Sequence, residues 1–209
     1  MRVMSAVTVL LFAMPFRSAA AQAASGTFTV TSGLDTIAVE TYSAAPGKLT
    51  GFLRLPQQEA AARYVIHFRP DGSIAEADIR DDTRNFFSGT ITFDEKAAVD
   101  ARARGPAARF VMAPASTYPI VGTSLELMEL LVRVTHATSR DSTSAQVFNI
   151  RNRILGTATI RRLPHDSLAI LCVGCQRVGS RQEFRLGVAP TGDFTGGVEA
   201  RQEWMITRR

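Results

Sequence analysis

Residues 63–80 read RYVIHFR-PDGS-IAEADIR, and this stretch decides the fold. In its first half, Tyr64, Ile66 and Phe68 occupy every second position, as in a strand that buries one of its faces. His67 lies on the opposite face, which we expect to meet solvent. The PDGS connection combines a proline, which fixes φ, with a glycine, which tolerates left-handed backbone, and it therefore suits a short hairpin loop. The stretch predicts two antiparallel strands joined by a tight turn.

The same pattern continues along most of the chain, with turn-forming residues between strand candidates at intervals of about 8–12 residues. This spacing is typical of an antiparallel sandwich, barrel or curved sheet, and it argues against β-α-β units. We expect about 10–11 strands in a single domain over residues 24–209, because no stretch has the composition of a linker. The strand candidates are residues 27–31, 36–42, 48–55, 63–69, 74–80, 89–94, 108–112, 145–150, 154–163, 167–172, 181–189 and 194–208.

Residues 124–138, SLELMELLVRVTHAT, are the one strong helix prediction, and Thr123 and Glu126 have the spacing of a capping box at its start. At about 100° per residue, Glu126, Glu129, Arg133 and His136 fall within one narrow arc, and apolar side chains cover the rest. Because so wide an apolar arc needs apolar surface on most sides, we expect this helix to cross the concave face of a bent sheet. The predicted fold is mainly β: a strongly curved antiparallel sheet, a half-barrel or open barrel, with one amphipathic helix in its concavity.

Residues 1–23 have the pattern of a secretory signal peptide. A basic start at Arg2 precedes the apolar run VMSAVTVLLFAMPF, and small residues suited to cleavage follow. The apolar run has 14 residues, whereas a membrane-spanning helix needs about 20. We expect cleavage after Ala23 or after Ala21, and export to the periplasm or the extracellular space. No cysteine lies near either position, so we expect no lipid anchor, and we expect no transmembrane segment elsewhere.

The charge balance gives no reason to expect a nucleic acid partner. The whole chain has 24 Lys and Arg and 19 Asp and Glu, for a formal net charge of +5. Removal of Arg2 and Arg17 with the signal peptide leaves 22 basic against 19 acidic residues, or +3. So small a surplus does not create a basic patch of the kind that binds polyanions. The 45% hydrophobic content is also too high for a disordered chain.

The two cysteines, Cys172 and Cys175, form a C-x-x-C pair with three alternative interpretations: a disulfide, a redox-active pair, or half of a metal site. Export to an oxidising compartment favours the disulfide. A redox motif would need a helix start in a β-α-β setting, but a strand-like segment runs directly into this pair. Zinc usually takes four ligands, and no second half occurs at a useful spacing. We therefore predict a structural disulfide, no metal site and no cofactor.

The three histidines, His67, His136 and His165, do not form a motif. His165 is followed by Asp166 and Ser167, but no G-x-S-x-G segment is present to expose a nucleophile. An enzyme would need one of these histidines to meet carboxylates and a nucleophile in one pocket. We therefore expect a protein without enzymatic activity.

The apolar strand faces and the helix allow two interpretations. Their side chains either fill a packed core or line a cavity for a hydrophobic molecule, as in small barrels and bent sheets. The first hypothesis is an exported, non-enzymatic binding protein for an apolar or amphipathic, lipid-like ligand; no protein partner can be named. The alternative is a structural or protein-interaction module of the cell envelope with a fully packed core. The candidate ligand-lining residues are Phe28, Tyr64, Ile66, Phe68, Leu127, Met128 and Leu131.

The order of these elements resembles that of exported, β-rich envelope proteins of unknown function in bacteria. It also resembles the lipoprotein-carrier architecture, an open half-barrel with a helix across its concave face. The segments that carry the resemblance are TFTVTSGLDTIAVETY at 27–42, YPIVGTSLELMELLVR at 118–133, DSLAILCVGC at 166–175 and LGVAPTGDFTGGV at 186–198. The resemblance is a pattern of elements and implies a fold and a location, not a site, because similar architecture alone does not establish function.

Overall fold

The computed structural model describes residues 24–70, 73–81, 89–93, 98–101, 108–111, 117–120, 124–136, 141–149, 154–175 and 178–209. Within these ranges, one α-helix, α1 (Leu125–His136), and a short 3-10 helix, Pro56–Gln58, accompany a set of strands. The strands are β1 (Ala24–Ser32), β2 (Asp35–Ala45), β3 (Lys48–Leu55), β4 (Ala60–Phe68), β5 (Ile74–Asp81), β6 (Gly89–Phe93), β7 (Ala98–Ala101), β8 (Ala108–Val111), β9 (Thr117–Ile120), β10 (Ser142–Asn149), β11 (Ile154–Leu163), β12 (Ser167–Val173), β13 (Arg181–Val188), β14 (Phe194–Glu199) and β15 (Trp204–Arg208).

The strands form one sheet in the order β8-β7-β6-β5-β4-β3-β2-β1-β15-β14-β13-β12-β11-β10-β9. Two meanders therefore meet where the first strand pairs with the last, and β8 and β9 stand at the two ends of the described order. The expected mainly β fold with a large, open and mostly antiparallel sheet is confirmed. One pair differs from expectation: β9 and β10 are parallel, with α1 in the connection between them.

In the described part of the chain the sheet has 15 strands, more than the 10–11 expected and three more than the candidate segments named from the sequence. The segment 194–208 is two strands, because the chain turns back between Glu199 and Trp204. Glu203 adopts φ 55° in this turn, and the Glu199 carboxylate accepts the backbone N–H of Gln202 at 2.7 Å. The turn has no glycine or proline to mark it. Two further strands, β7 and β9, have only four residues each, too few for a clear alternation.

The helix lies against the buried face of the sheet. A single core cluster joins Leu127 and Leu131 of α1 to Phe28 of β1, Ile66 of β4 and Ile170 of β12. Because strands that are far apart in the sheet order contribute to the same core, the sheet must curve around the helix. The predicted helix over 124–138 is found over Leu125–His136, and residues 137 and 138 lie outside the described ranges.

Candidate functional site

The N-terminus of α1 is capped by a carboxylate from the sheet. Glu40 of β2 accepts the backbone N–H groups of Leu125 at 2.6 Å and Glu126 at 3.2 Å. It also accepts the hydroxyl of Tyr64 at 2.6 Å and the hydroxyl of Ser124. Ser124 in turn accepts the N–H of Leu127, the third helical residue, and is therefore the N-cap. The predicted capping box begins one residue earlier, at Thr123, which lies outside the described residues. The anionic group of the cap comes from a strand, not from the helix itself.

This cap is withdrawn from solvent, since Glu40 is 1% exposed. Burial raises the pKa of the Glu40 carboxyl, because removal from water disfavours its charge, while the hydrogen bonds from Ser124 and Tyr64 act in the opposite direction. Burial and the neighbouring Glu40 raise the pKa of the Tyr64 phenol well above its usual value. Tyr64 therefore remains a neutral donor, and four donors converge on one carboxylate.

Glycines create the space for the two inward-facing tyrosines. Gly51 of β3 lies opposite Tyr64, and a Cβ atom at Gly51 would come within 1.9 Å of the Tyr64 ring. Gly26 of β1 lies opposite Tyr42, where a Cβ atom would come within 2.6 Å of the hydroxyl oxygen. Each ring thus occupies the space that a side chain on the neighbouring strand would fill, and the Tyr64 hydroxyl reaches the Glu40 carboxylate that caps α1.

A second cluster of charges ties the middle of α1 to the last strands. Glu129 is fully buried and accepts the N–H of Phe194 at 2.7 Å. Its carboxylate also meets Arg208 Nη1 at 3.0 Å and the guanidinium of Arg133, one helical turn further on. Arg133 reaches Asp193 Oδ1 at 2.6 Å. The positive charges of the two arginines are therefore compensated by the two carboxylates, and these ion pairs join the helix to the sheet.

The aromatic surroundings of Arg208 complete this cluster. Its guanidinium carbon lies 5.4 Å from the ring centroid of Phe28 and 5.6 Å from that of Tyr42, close enough for cation–π attraction. The guanidinium also donates to the Tyr42 hydroxyl. Burial, followed by the nearby carboxylates Glu126 and Glu129, raises the pKa of Tyr42 to about 12. The phenol is therefore protonated at neutral pH.

Glu126 is the exception in this otherwise paired interior. Its side chain is fully buried, and neither carboxyl oxygen has a hydrogen-bond partner among the described residues. Arg133 Nη1 lies 3.8 Å from Oε1, which is within ion-pair range but beyond a hydrogen bond. Burial and the charge of Glu129 raise the pKa of Glu126 to about 9. The group is therefore a neutral carboxylic acid at pH 7.

A cleft of about 520 Å³ opens where α1 ends. Its lip is made of two turns, one between β11 and β12 and the other between β13 and β14. The cleft reaches Arg133, so that one residue belongs both to the cleft wall and to the buried charge cluster. Its lining residues are Arg133, Arg162, Leu163, His165, Asp166, Ser167, Leu168, Val188, Ala189, Pro190, Thr191 and Gly192.

The β11–β12 turn at the lip is conformationally strained. His165 and Asp166 adopt φ values of 59° and 49°, and left-handed backbone at non-glycine residues costs about 1 kcal/mol or more per residue. The carbonyl of Asp166 accepts Val188 N–H at 2.8 Å, and Ser167 donates its hydroxyl to the Pro164 carbonyl at 2.6 Å. The cleft thus gathers a histidine, a carboxylate and a hydroxyl, but that hydroxyl is directed at a backbone carbonyl.

The structure brings the seven predicted ligand-lining residues to one core. Six of them are buried in the main cluster, and Phe68 is partly buried against it. None of the seven lines the 520 Å³ cleft, whereas Tyr64 also borders a shallower depression of about 450 Å³ over β2, β3 and β4. The six buried residues are Phe28, Tyr64, Ile66, Leu127, Met128 and Leu131.

Cys172 and Cys175 form the predicted disulfide, with Cα atoms 5.6 Å apart. Both residues are buried. Gly174 takes φ 73° in the enclosed turn, and Asn149 Nδ2 donates to the Cys175 carbonyl at 2.6 Å. The disulfide thus fixes the end of β12 against β10. Across the described ranges, no group of three or more His, Cys, Asp or Glu side chains is arranged to hold a metal ion.

Several interior residues were not singled out from the sequence. Glu40 lies between Ala38 and Tyr42 on the inward-facing positions of β2, and a carboxylate at such a position is a signal in itself. Arg208 has a similar position two residues after the buried Ile206. Their partners lie far away in sequence, so the pattern gives no pairing. In the described part of the chain, no helix is long and apolar enough to cross a membrane.

Comparisons with known proteins support the fold. No protein-family model matches the chain, and neither does any curated protein. The chain is similar to a solved structure, a β-barrel-like protein of domain of unknown function DUF1849 from Brucella abortus. The TM-score is 0.51 at 10% sequence identity, over 88% of this chain and 93% of that chain. At this identity the likeness concerns the fold alone, a β-barrel-like architecture.

Proposed function

We propose that this chain is an exported, non-enzymatic binding protein for an apolar or amphipathic, lipid-like ligand. The observation that carries the proposal is the 520 Å³ cleft at the end of α1. Its volume lies within the range of about 300–1,000 Å³ that is usual for small-molecule sites. The cleft opens at one end of the curved sheet, a position that ligands commonly occupy in barrel-like folds.

The lining of the cleft suits an amphiphile. Leu168 is buried at its base, and Leu163 and Val188 are partly buried beside it. Pro190 adds a further apolar surface at the lip. Polar and charged side chains make up the other half of the lining, and a site of this mixed character can hold an apolar body and orient a polar end.

Export is the second part of the proposal. The signal-like residues 1–23 support it, and the Cys172–Cys175 disulfide is compatible with an oxidising compartment. The resemblance to the lipoprotein-carrier architecture agrees with a location in the bacterial envelope. N-terminal sequencing of the secreted protein should find Gln22 or Ala24 as the first residue, and a chain that still begins at Met1 would contradict the proposal.

Binding is tested with a twelve-carbon probe. Isothermal titration of the protein with dodecanoate and with dodecyl maltoside, each below its micellar concentration, should give saturable binding of at least one. Ala189→Trp places an indole in the cleft and should weaken that binding about tenfold or more. Ala200→Trp, on an exposed turn at the other end of the sheet, is the matched control and should bind as the unaltered protein does. The proposal would be overturned if neither dodecanoate nor dodecyl maltoside binds.

The alternative function is a structural or protein-interaction module of the envelope. It is favoured by a specific observation: the side chains expected to line an interior cavity, among them Phe28 and Leu131, are packed in the core. A protein of this kind would bind neither probe, and the Ala189→Trp variant would likewise bind neither. The titration therefore separates the two functions.

A further inference from the structure

We propose that the end of the sheet at which α1 begins docks on a lipid surface, with apolar side chains of its turns and strand ends entering the lipid. The 520 Å³ cleft lies at the opposite end, where α1 ends, so this surface is additional to the binding function proposed above. In the described part of the chain, the large apolar side chains that remain exposed are Leu34, Leu155, Val173, Val178 and Met205.

The topology of the sheet places these five residues at one end. β1 and β12 run toward this end, and β11 and β15 start from it, because neighbouring strands between β11 and β1 alternate in direction. Leu34 lies in the turn after β1, and Val178 lies in the connection after β12. Val173 is the last residue of β12, whereas Leu155 and Met205 are the second residues of β11 and β15. The strand before α1, β9, is parallel to β10 and also runs toward this end.

The turns described at the opposite end have a different composition. They read PG at 46–47, PHD at 164–166 and APTGD at 189–193, and they contain no leucine, isoleucine, valine, methionine or phenylalanine. Single exposed apolar residues are normal on a protein surface and need no partner. Their confinement to one end, together with the polar turns at the other, indicates that the first end meets an apolar medium.

Three of the five, Leu155, Val173 and Val178, belong to the segments that meet at the disulfide turn. The start of β11 lies directly against the end of β12, since a Cβ atom at Gly156 would come within 2.8 Å of the Val173 carbonyl oxygen. The Cys172–Cys175 bond closes the beginning of the connection that carries Val178. Apolar side chains that are held on a fixed turn lose little conformational freedom when they bind.

The other two, Leu34 and Met205, lie on neighbouring strands. Leu34 is fully exposed at the tip of the β1–β2 hairpin, and Met205 is half-exposed beside Thr31, near the end of β1. Trp204, the only tryptophan of the chain, precedes Met205 and is half-buried. Tryptophan has an apolar ring and a polar N–H group, and it is enriched where a membrane meets water. Trp204 therefore suits contact with lipid and can report on it.

A lipid surface fits this arrangement better than a protein does. The turn between β14 and β15 separates the two groups, and its Arg201, Gln202 and Glu203 are exposed. A stable protein interface buries about 800 Å² per partner around an apolar centre. A fluid lipid surface instead admits separate apolar side chains, and its headgroups solvate the polar ones between them. Charges of both signs flank the five side chains, among them Asp35 and Arg181, so uncharged lipid suffices.

The test uses extruded vesicles of phosphatidylcholine, which carry no net charge. The protein should sediment with them, and the emission of Trp204 should shift to shorter wavelengths because the docking end leaves water. Leu34→Ser combined with Val178→Ser should lower the vesicle partition coefficient about tenfold or more and abolish the emission shift, since burial of one leucine side chain changes such a coefficient by about that factor. Pro46→Ser, in an exposed turn at the opposite end, is the matched control and should behave as the unaltered protein does.

The Trp204 emission reports on its own end of the sheet, and residues 1–23 are the same in every variant. An unaltered protein without an emission shift on vesicles would overturn the inference, as would a double variant that shifts like Pro46→Ser. A dimer in sedimentation equilibrium that the double variant no longer forms, with no emission shift on vesicles, would assign this end to a second copy of the chain and overturn the lipid surface. Dodecanoate titration of the double variant should match that of the unaltered protein, so the failure of either proposal leaves the other standing.

Discussion

The carboxylate of Glu129 lies 3.0 Å from the guanidinium of Arg208, and this contact joins the middle of α1 to the last strand of the sheet. The two residues are 79 positions apart in sequence. Because β15 pairs with β1 as well as with β14, the same contact holds the helix at the point where the two meanders meet. A charge pair in so buried a place helps to specify the position of the helix, since the loss of either partner leaves the other with one counter-ion fewer in a low-dielectric interior.

The first prediction concerns this pair. Arg208→Gln removes the charge opposite Glu129 and should lower the free energy of unfolding by about 3 kcal/mol, because a buried carboxylate loses a partner. Urea unfolding measures the loss as a lower midpoint at constant m-value. A double-mutant cycle with Glu129→Gln should give a coupling energy of about 1–3 kcal/mol. The exposed Arg201→Gln is the control, with an expected change within about 0.5 kcal/mol. A coupling energy near zero would contradict the assignment.

The second prediction concerns the strand-derived helix cap. Glu40→Gln replaces an acceptor oxygen by an NH₂ group that faces N–H and O–H donors, so at least one buried donor loses its partner. We expect a loss of about 2–3 kcal/mol, more than that of an ordinary N-cap, because the site is buried. The same substitution at the exposed Glu203 should change the unfolding midpoint little. If Glu40→Gln and Glu203→Gln changed the free energy of unfolding equally, the Glu40 carboxyl would not stabilise the N-terminus of α1.

The sequence predicted the features that depend on neighbours in sequence. Alternation located most strands because one face of the sheet is buried, and the start of α1 was located to within one residue because capping residues act locally. The partners of Glu40 on α1 are 84 to 86 residues away, and no local pattern encodes such a contact. The narrow polar arc of the helix was recognised. Its two glutamates nevertheless proved to be buried. For Glu129 the sheet supplies Arg208 as a counter-ion, whereas Glu126 is buried without a hydrogen-bond partner among the described residues.

The third prediction is a pH dependence caused by Glu126. Its pKa of about 9 in the folded state exceeds the ordinary value of 4.5, so the folded chain holds an extra proton between these pH values. Stability therefore falls as pH rises through this window, by up to about 1.4 kcal/mol per pH unit. Glu126→Gln cannot lose a proton, and its stability curve should be flatter by that amount between about pH 5.5 and 8.5. The variant should also be the more stable protein at the alkaline end.

Because Glu40 and Glu129 remain in both proteins, the difference between the two curves reports the ionisation of Glu126 together with its coupling to these two carboxyl groups. Unfolding in urea at half-unit pH steps supplies the data. Parallel curves for the two proteins would mean that Glu126 is charged in the folded state, contrary to its position without hydrogen-bond partners among the described residues.

The fourth prediction concerns the disulfide. Thiol titration of the denatured, unreduced protein should find no free Cys172 or Cys175, as their bond requires. The Cys172→Ala, Cys175→Ala double variant should lose about 2 kcal/mol, because a loop this short restricts the unfolded chain only slightly. For a chain of this length, that loss corresponds to a Tm lower by roughly 4–8 °C. Two titratable thiols, or a Tm unaffected by the double substitution, would contradict the prediction.

The last prediction connects the sheet backbone to the helix cap. In Gly51→Ala, the new methyl group would come within 1.9 Å of the Tyr64 ring, which is 1% exposed and cannot turn away without leaving Glu40. We expect a loss of about 1–3 kcal/mol, the usual cost of overpacking a core. Gly187→Ala is the matched control, since its Cβ would meet only the hydroxyl of the exposed Thr195, which can rotate. The Tm of each variant measures the loss, and we expect a lower Tm for Gly51→Ala than for Gly187→Ala. If Gly51→Ala is no less stable than Gly187→Ala, the ring of Tyr64 has room to move, and it does not hold its hydroxyl at the helix by packing on Gly51.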